Sequence, residues 1–182
     1  SRRDTVANHS AVHLMQAVMK ELIGEHVTQQ GSWVGPEGMR FDFTNPEPVS
    51  PPMLKIIEDK VNGFIRDSLP VRIEEMSLEK ARKTGAIAPF GEKYGAQVRV
   101  VSMGDQAKPV STEFCGGTHV DNTSSLGLFI ITGETSVASG IRRIEGKAGS
   151  AAFNHIRDER AILDDLSNHM SVNPKELPDR IG

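Results

Sequence analysis

Two short histidine-bearing segments, far apart in the chain, constrain what it can fold into. HSAVH carries His9 and His13, and CGGTH carries Cys115 and His119. Each pair is spaced i, i+4. On a helix such residues share a face with Cβ atoms roughly 6 Å apart, which suits two ligands meeting one metal. Zinc takes imidazole nitrogen and thiolate sulfur at bond lengths of ~2.0–2.3 Å. Cys115 is the only cysteine in the chain, and Gly116 and Gly117 let the backbone curl so that Cys115 and His119 point the same way. An HxxxH pair on its own is more often a partly buried, hydrogen-bonded helix face. Both pairs together, with the sole cysteine among them, point to one Zn²⁺ held by His9, His13, Cys115 and His119. The fold must then bring the two segments together.

The chain has 182 residues, 37% of them hydrophobic, enough for one core or for one domain with an appendage. A single cysteine excludes an intramolecular disulfide and fits a reducing compartment, so a cytoplasmic protein is expected. The central apolar run Leu128-Phe129-Ile130-Ile131 is far short of the roughly 20 residues of a membrane span. SRRDTVANH has no apolar signal region. The absent starting Met and the ending at LPDRIG suggest an excised fragment. Net charge is −3, so any RNA contact must come from local patches such as Arg2-Arg3, or Arg142-Arg143 with Lys147. Each patch has a solvated surface as its plain alternative.

Along the chain, Val12, Met15, Met19, Leu22 and Ile23 recur at helical spacing over residues 4–25, with Asp4 or Thr5 as cap and Gly24 near the end. HVTQQGSWV, the turn GPEG and MRFDF read as a hairpin, with Met39, Phe41 and Phe43 on one face and Arg40 and Asp42 on the other. Trp33 reads as a packing residue; Gln29 and Ser32 face either a pocket or solvent. Ser50, followed by Pro51 and Pro52, caps a helix whose stripe is Leu54, Ile57, Val61, Phe64 and Ile65. VRIEE reads as a strand and SLEKARKTG as a short helix capped by Ser77 and stopped by Gly85. AIAPFGEKYG is a loop, either a flap or a connector. QVRVVSMGD, GLFIITGE and SGIRRIEG read as strands. The residues from 150 onward form a charged helix whose Ala152, Ile156, Ile162, Leu163 and Leu166 have no evident partner. This order argues an α+β fold with largely antiparallel sheet, not βαβ alternation. It divides into residues 1–149 and a helical appendage, 150–182.

Several chemistries lack their motifs. Ser10 follows His9, so there is no HExxH with its glutamate base, and no CxxC, GxxxxGK[ST] or GxGxxG occurs. Four protein ligands make a closed tetrahedral site, whereas hydrolysis by a zinc-activated water needs an open position. The sequence leaves open whether one of the four stands aside, the site expands, or the zinc only positions a substrate.

At HSAVH and CGGTH, and in order through HVTQQGS, MRFDF, FGEKYG, VRVVSMGD, CGGTHV and SGIRRIEG, residues 3–149 resemble the editing domains of alanyl-tRNA synthetases and the freestanding AlaX proteins. CGGTHV is also similar to threonyl-tRNA synthetase editing domains, while RFDF and FGEKYG favour the alanyl type. The resemblance implies hydrolysis of Ser-tRNA(Ala) and Gly-tRNA(Ala) at a zinc site with the four ligands above. Gln29 would choose the substrate, with Ser32 beside it. Asn8, Arg40, Asp42, Arg142 and Arg143 would contact the pocket or the tRNA. The family often carries Thr where this chain has Val12. The appendage resembles the start of the helical segment leading to a C-terminal domain, and the aminoacylation domain is absent, so a synthetase fragment is expected over a freestanding trans-editing hydrolase. The rival class is a non-catalytic zinc-stabilised RNA-binding module.

Overall fold

A computed structural model describes residues 1–88 and 94–181. Residues 89–93, which include most of the FGEKYG segment, lie outside the described residues. The chain opens with α1 (Arg2–Leu22), two residues earlier than the apolar spacing suggests. Asp4 is a first-turn acceptor, taking a hydrogen bond from Ser1 Oγ at 2.7 Å. Val12, Met15 and Met19 are buried as their spacing requires, but so are Ala11, Leu14 and Val18. The helix is therefore enclosed round most of its circumference, and its histidines are drawn inside with it.

β1 (Gln29–Gly35) and β2 (Gly38–Thr44) form the expected hairpin, closed by a two-residue turn at Pro36-Glu37. β2 pairs with β7 (Ile141–Ala148), and β7 with β6 (Phe129–Ala138). The result is a four-stranded antiparallel sheet of order β1-β2-β7-β6. Met39, Phe41, Phe43 and Ile144 turn inward to one core with α1 and α2 (Pro51–Arg66), where each fully buried large side chain contributes about 1.5–3 kcal/mol. Ser50 Oγ accepts from Met53 N–H to cap α2, which buries Ile57, Val61 and Ile65. Trp33 is not a core residue. It is 45% exposed and packs on the sheet's outer face, with the Arg40 guanidinium 5.0 Å from its ring centre.

A second antiparallel sheet has order β3 (Val71–Ser77), β4 (Gln97–Gly104), β5 (Pro109–Phe114). α3 (Leu78–Lys83), capped by Ser77, lies against it over a small core of Met76, Ala81, Val98, Val100 and Phe114. β5 shows no clean apolar alternation, and it is the strand that delivers Cys115. The architecture is α+β with antiparallel sheets, as expected. α4 (Ser150–Met170) seats Ala152 in the core, yet leaves Phe153, Ile156, Ile162, Leu163 and Leu166 exposed. α5 (Leu177–Ile181) ends the described chain. Among the described residues no helix is long and apolar enough to cross a membrane.

Candidate metal centre

α1 projects His9 and His13 from successive turns of one face. Cys115 and His119 lie beyond the end of β5 in irregular backbone, so the shared-face argument for i, i+4 spacing applies only to the first pair. The second pair is aimed by anchoring of its loop. Cys115 N–H donates to Arg99 O at 3.0 Å, and Arg99 Nη1 donates back to the carbonyls of Cys115, at 3.1 Å, and Gly117. Val120 N–H donates to Ser10 Oγ on α1 at 3.1 Å. At Gly117 a Cβ would lie 2.6 Å from His9 Nδ1 and closer still to its Cε1, so only glycine lets the loop approach the helix here.

The two pairs converge. One ligand atom from each of His9, His13, Cys115 and His119 lies within 4.8 Å of every other. Cys115 Sγ is 3.4 Å from His9 Nε2 and 3.3 Å from His119 Nε2. Ligands at zinc-type bond lengths on tetrahedral directions stand ~3.5 Å apart, so these separations are edges of such a tetrahedron. His13 is 6% exposed, and its Nε2 is buried without a hydrogen-bond partner. A buried lone nitrogen beside a thiol and two imidazoles is what a metal ligand looks like before the metal is counted. The four side chains can hold one metal ion.

The electrostatics agree. Burial pushes the Cys115 thiol up, but the surrounding imidazoles, His119 first among them, outweigh it and bring the group to about 3. The sulfur is thus held as thiolate, the ligating form. Burial pushes His13 down, and the neighbouring charges of Glu113 and Cys115 overcome that, raising it to about 10. His119 is held below its ordinary value, chiefly by burial.

Two supporting groups escaped the sequence reading. Glu113 Oε2 lies 2.6 Å from His13 Nδ1, an ion-pair distance that lacks hydrogen-bond alignment, and its Oε1 accepts from Ser111 Oγ at 3.1 Å. Ser10 Oγ stands 3.3 Å from His119 Nδ1 and donates to Val6 O at 3.0 Å. The sequence signals were slight: a carboxylate two residues before the cysteine, and a hydroxyl inside HSAVH.

A cavity of about 470 Å³ adjoins the centre, lined by Gln16, Lys20, Gln29, Ile87 and Glu113 among others. Glu113 therefore touches a candidate ligand on one side and the cavity on the other. Gln29 is on its wall, and Gln29 Nε2 donates to Ser32 Oγ at 3.3 Å. A second cavity, of about 360 Å³, reaches His9 past Arg2, Thr5, Val34 and Thr118. The remaining predicted residues lie elsewhere. Asn8 is fully buried; its Nδ2 donates to Gly35 O at 2.8 Å and its Oδ1 accepts from Ala148 N–H at 2.7 Å, fastening α1 to the ends of β1 and β7. Asp42 takes two hydrogen bonds from Arg143, at 2.6 and 2.8 Å, on the outer face that also carries Arg40. Arg142 makes the same two-pronged pair with Glu134, at 2.6 and 2.5 Å.

Comparison with known proteins adds lineage to this geometry. Residues 98–145 match the family described as the threonyl and alanyl tRNA synthetase second additional domain. That stretch includes both Cys115 and His119. Over 180 residues it is 46% identical to the alanine--tRNA ligase of Myxococcus xanthus (strain DK1622), and over 182 residues 45% identical to that of Clostridioides difficile (strain 630). These alignments cover 99% and 100% of this chain but 20% of each relative, so the chain spans about a fifth of the length of the ligases it matches. It is of the alanyl-tRNA synthetase editing-domain type.

Proposed function

We propose that this chain hydrolyses the ester linking serine or glycine to wrongly charged tRNA(Ala), at a zinc ion held by His9, His13, Cys115 and His119. The observation that carries the reading is the juxtaposition of a four-donor cluster and a cavity with Gln29 on its wall. The donor set, one thiolate and three imidazoles, is zinc chemistry. Bound there, the ion supplies Lewis-acid polarisation of an ester carbonyl and charge stabilisation.

The chain's own residues supply selection. A pocket built to hydrogen-bond a hydroxyl rejects the analogue lacking it by roughly 10⁴-fold, because its polar groups are otherwise left unpaired. Gln29, oriented by Ser32, offers that hydrogen bond to serine and leaves alanine unheld. Glycine enters by size alone. Val12 is buried in the core, so the position of the family's frequent Thr presents no hydroxyl here. Arg40, Asp42, Arg142 and Arg143 take part in tRNA contact through the β2–β7 region, with Asp42 and Glu134 holding the guanidinium planes in place. Residues 1–149 form the editing unit. Residues 150–182, with the exposed apolar row of α4, begin a linker to the rest of a synthetase.

The closed set of four protein donors favours a second reading, a zinc-stabilised module that binds tRNA without cleaving it. Release of serine, glycine and alanine from the three charged forms of tRNA(Ala) separates the two. Loss of serine and glycine but not alanine, abolished with zinc in Cys115→Ala, supports editing. A zinc-loaded chain that leaves the serine ester intact at high enzyme concentration supports the binding module.

A further inference from the structure

Trp33 is the only tryptophan in the chain, and the hydrolysis proposed above does not use it. It stands on β1, an edge strand of the four-stranded sheet. α1 and α2 pack on one face of that sheet, and the register puts Trp33, Arg40, Arg143, Glu145 and Lys147 on the other. A lone apolar side chain on a surface needs no explanation. Trp33 differs in being held. The six-membered end of its indole lies over Gly35, where a Cβ would come within 2.6 Å of Cζ2 and Cη2. Arg40, its partner across the β1–β2 pairing, places its guanidinium carbon 5.0 Å from the ring centre. The ring is fixed in direction while nearly half of the residue stays open to solvent.

A cavity of about 290 Å³ opens beside the ring, walled by Met39 and Arg40 of β2, Thr132 of β6, and Glu145 and Lys147 of β7. It has room for one flat group and not for a duplex. Arg40 and Lys147 bring positive charge to it, whereas the guanidinium of Arg143 is engaged by Asp42. The carboxylates of Glu37 and Glu145 line the same cavity and repel a long run of phosphates. A single base with its adjoining phosphate fits both signs of charge. Unpaired bases stack on aromatic side chains whatever their sequence, because every base has a flat π-face, and arginine adds a cation–π share. A duplex hides those faces in its own stack.

The place of Trp33 along β1 ties it to the cavity beside the metal centre. Gln29, on the wall of that cavity, is four residues back on the same edge strand, roughly 13 Å away. Val34, next in the chain, lines the cavity that reaches His9. An RNA end seated at the centre crosses this edge to the outer face within a few nucleotides.

We infer that Trp33, with Arg40, is a stacking platform for an unpaired nucleotide of single-stranded RNA, a short way upstream of the esterified end. The inference takes RNA as the substrate from the function proposed above, and its test does not depend on hydrolysis of an ester.

The probes are an RNA duplex with an unpaired 3′ ACCA overhang and the same duplex with blunt ends. Because the chain has one tryptophan, quenching of its intrinsic fluorescence reads stacking at this ring alone. The overhang duplex quenches saturably and the blunt duplex does not. Affinity for the labelled overhang duplex, read by anisotropy, falls about tenfold to a hundredfold in Trp33→Leu and much less in Trp33→Phe, which keeps a flat ring. Arg40→Gln makes the slope of log affinity against log salt shallower by about 0.7, one single-strand phosphate contact. Circular dichroism checks that each variant is folded, and Trp33→Phe keeps a ring over Gly35 if Trp33→Leu fails to fold. Absence of quenching, equal quenching by the two duplexes, or wild-type affinity in Trp33→Leu overturns the platform and leaves the proposed hydrolysis standing. Quenching as described, in a zinc-loaded protein that leaves Ser-tRNA(Ala) and Gly-tRNA(Ala) intact, supports the platform and overturns the hydrolysis.

Discussion

Replacing Gly117 by alanine tests the approach of the CGGTH loop to α1. The added methyl would sit 2.6 Å from His9 Nδ1. His9 Cε1 is closer still and ordinary contact is at least ~3.5 Å, so something must move by well over an ångström. The loop is tied down by Arg99 and by Ser10, whereas His9 is half-buried and can swing outward. In the metal-free protein that swing costs about 1 kcal/mol or less, within the range of an off-rotamer side chain. In the loaded protein it removes a ligand. If affinity falls on the order of 100-fold, zinc that was at 100 times its Kd for wild type is at its Kd for the variant. The stabilisation by zinc then drops from about 2.7 to about 0.4 kcal/mol. For a chain of this size the zinc-dependent rise in Tm shrinks by about 5–9 °C. Thermal unfolding with added zinc and with chelator reads both terms. A variant that keeps the wild-type zinc increment refutes the claim that His9 and the loop meet at a metal. A variant that loses several kcal/mol in chelator refutes the claim that His9 is the part that yields.

Other outcomes follow from the same geometry. Asn8→Ala leaves Gly35 O and Ala148 N–H buried and unpaired, so urea unfolding should show a loss of about 2–4 kcal/mol, with zinc affinity little changed. Ser10→Ala removes the acceptor at His119 Nδ1, and chelator competition should show zinc bound roughly tenfold more weakly. The hydrogen bonds from Arg143 hold Asp42 below the ordinary carboxylate range. A depressed carboxylate contributes stability that is full above its unfolded value of about 3.9 and is lost as pH falls through its folded value. Urea midpoints of zinc-free protein should therefore fall less on acidification in Arg143→Met than in wild type. Gln29→Ala should slow serine release from Ser-tRNA(Ala) more than glycine release from Gly-tRNA(Ala), read as initial rates.

The sequence made the hairpin, α2 and the four converging residues legible, because each depends on local spacing and chemistry. The phenylalanines of MRFDF alternate as a strand with one buried face must, and the Ser-Pro-Pro start of α2 is a local signal. What stayed hidden depends on register across the chain. Glu113 looks like any strand glutamate until β5 is laid beside α1. Asn8, next to a candidate ligand, reads as a pocket residue until Gly35 and Ala148 are seen to need its amide. Trp33 reads as a packing residue, and the alternation of β1 decides where it packs: outward, over Gly35 and under Arg40. The histidine spacing in CGGTH imitates a helix, although the loop achieves the same convergence through Arg99 and two glycines.

The convergence of His9, His13, Cys115 and His119 on one ion is the claim on which the rest depends. Zinc stoichiometry with X-ray absorption at the zinc edge measures it directly. One zinc per chain is expected, with one sulfur at about 2.3 Å and three nitrogens at about 2.0–2.1 Å. A protein that takes up no zinc, or a bound zinc whose shell contains no sulfur, contradicts it.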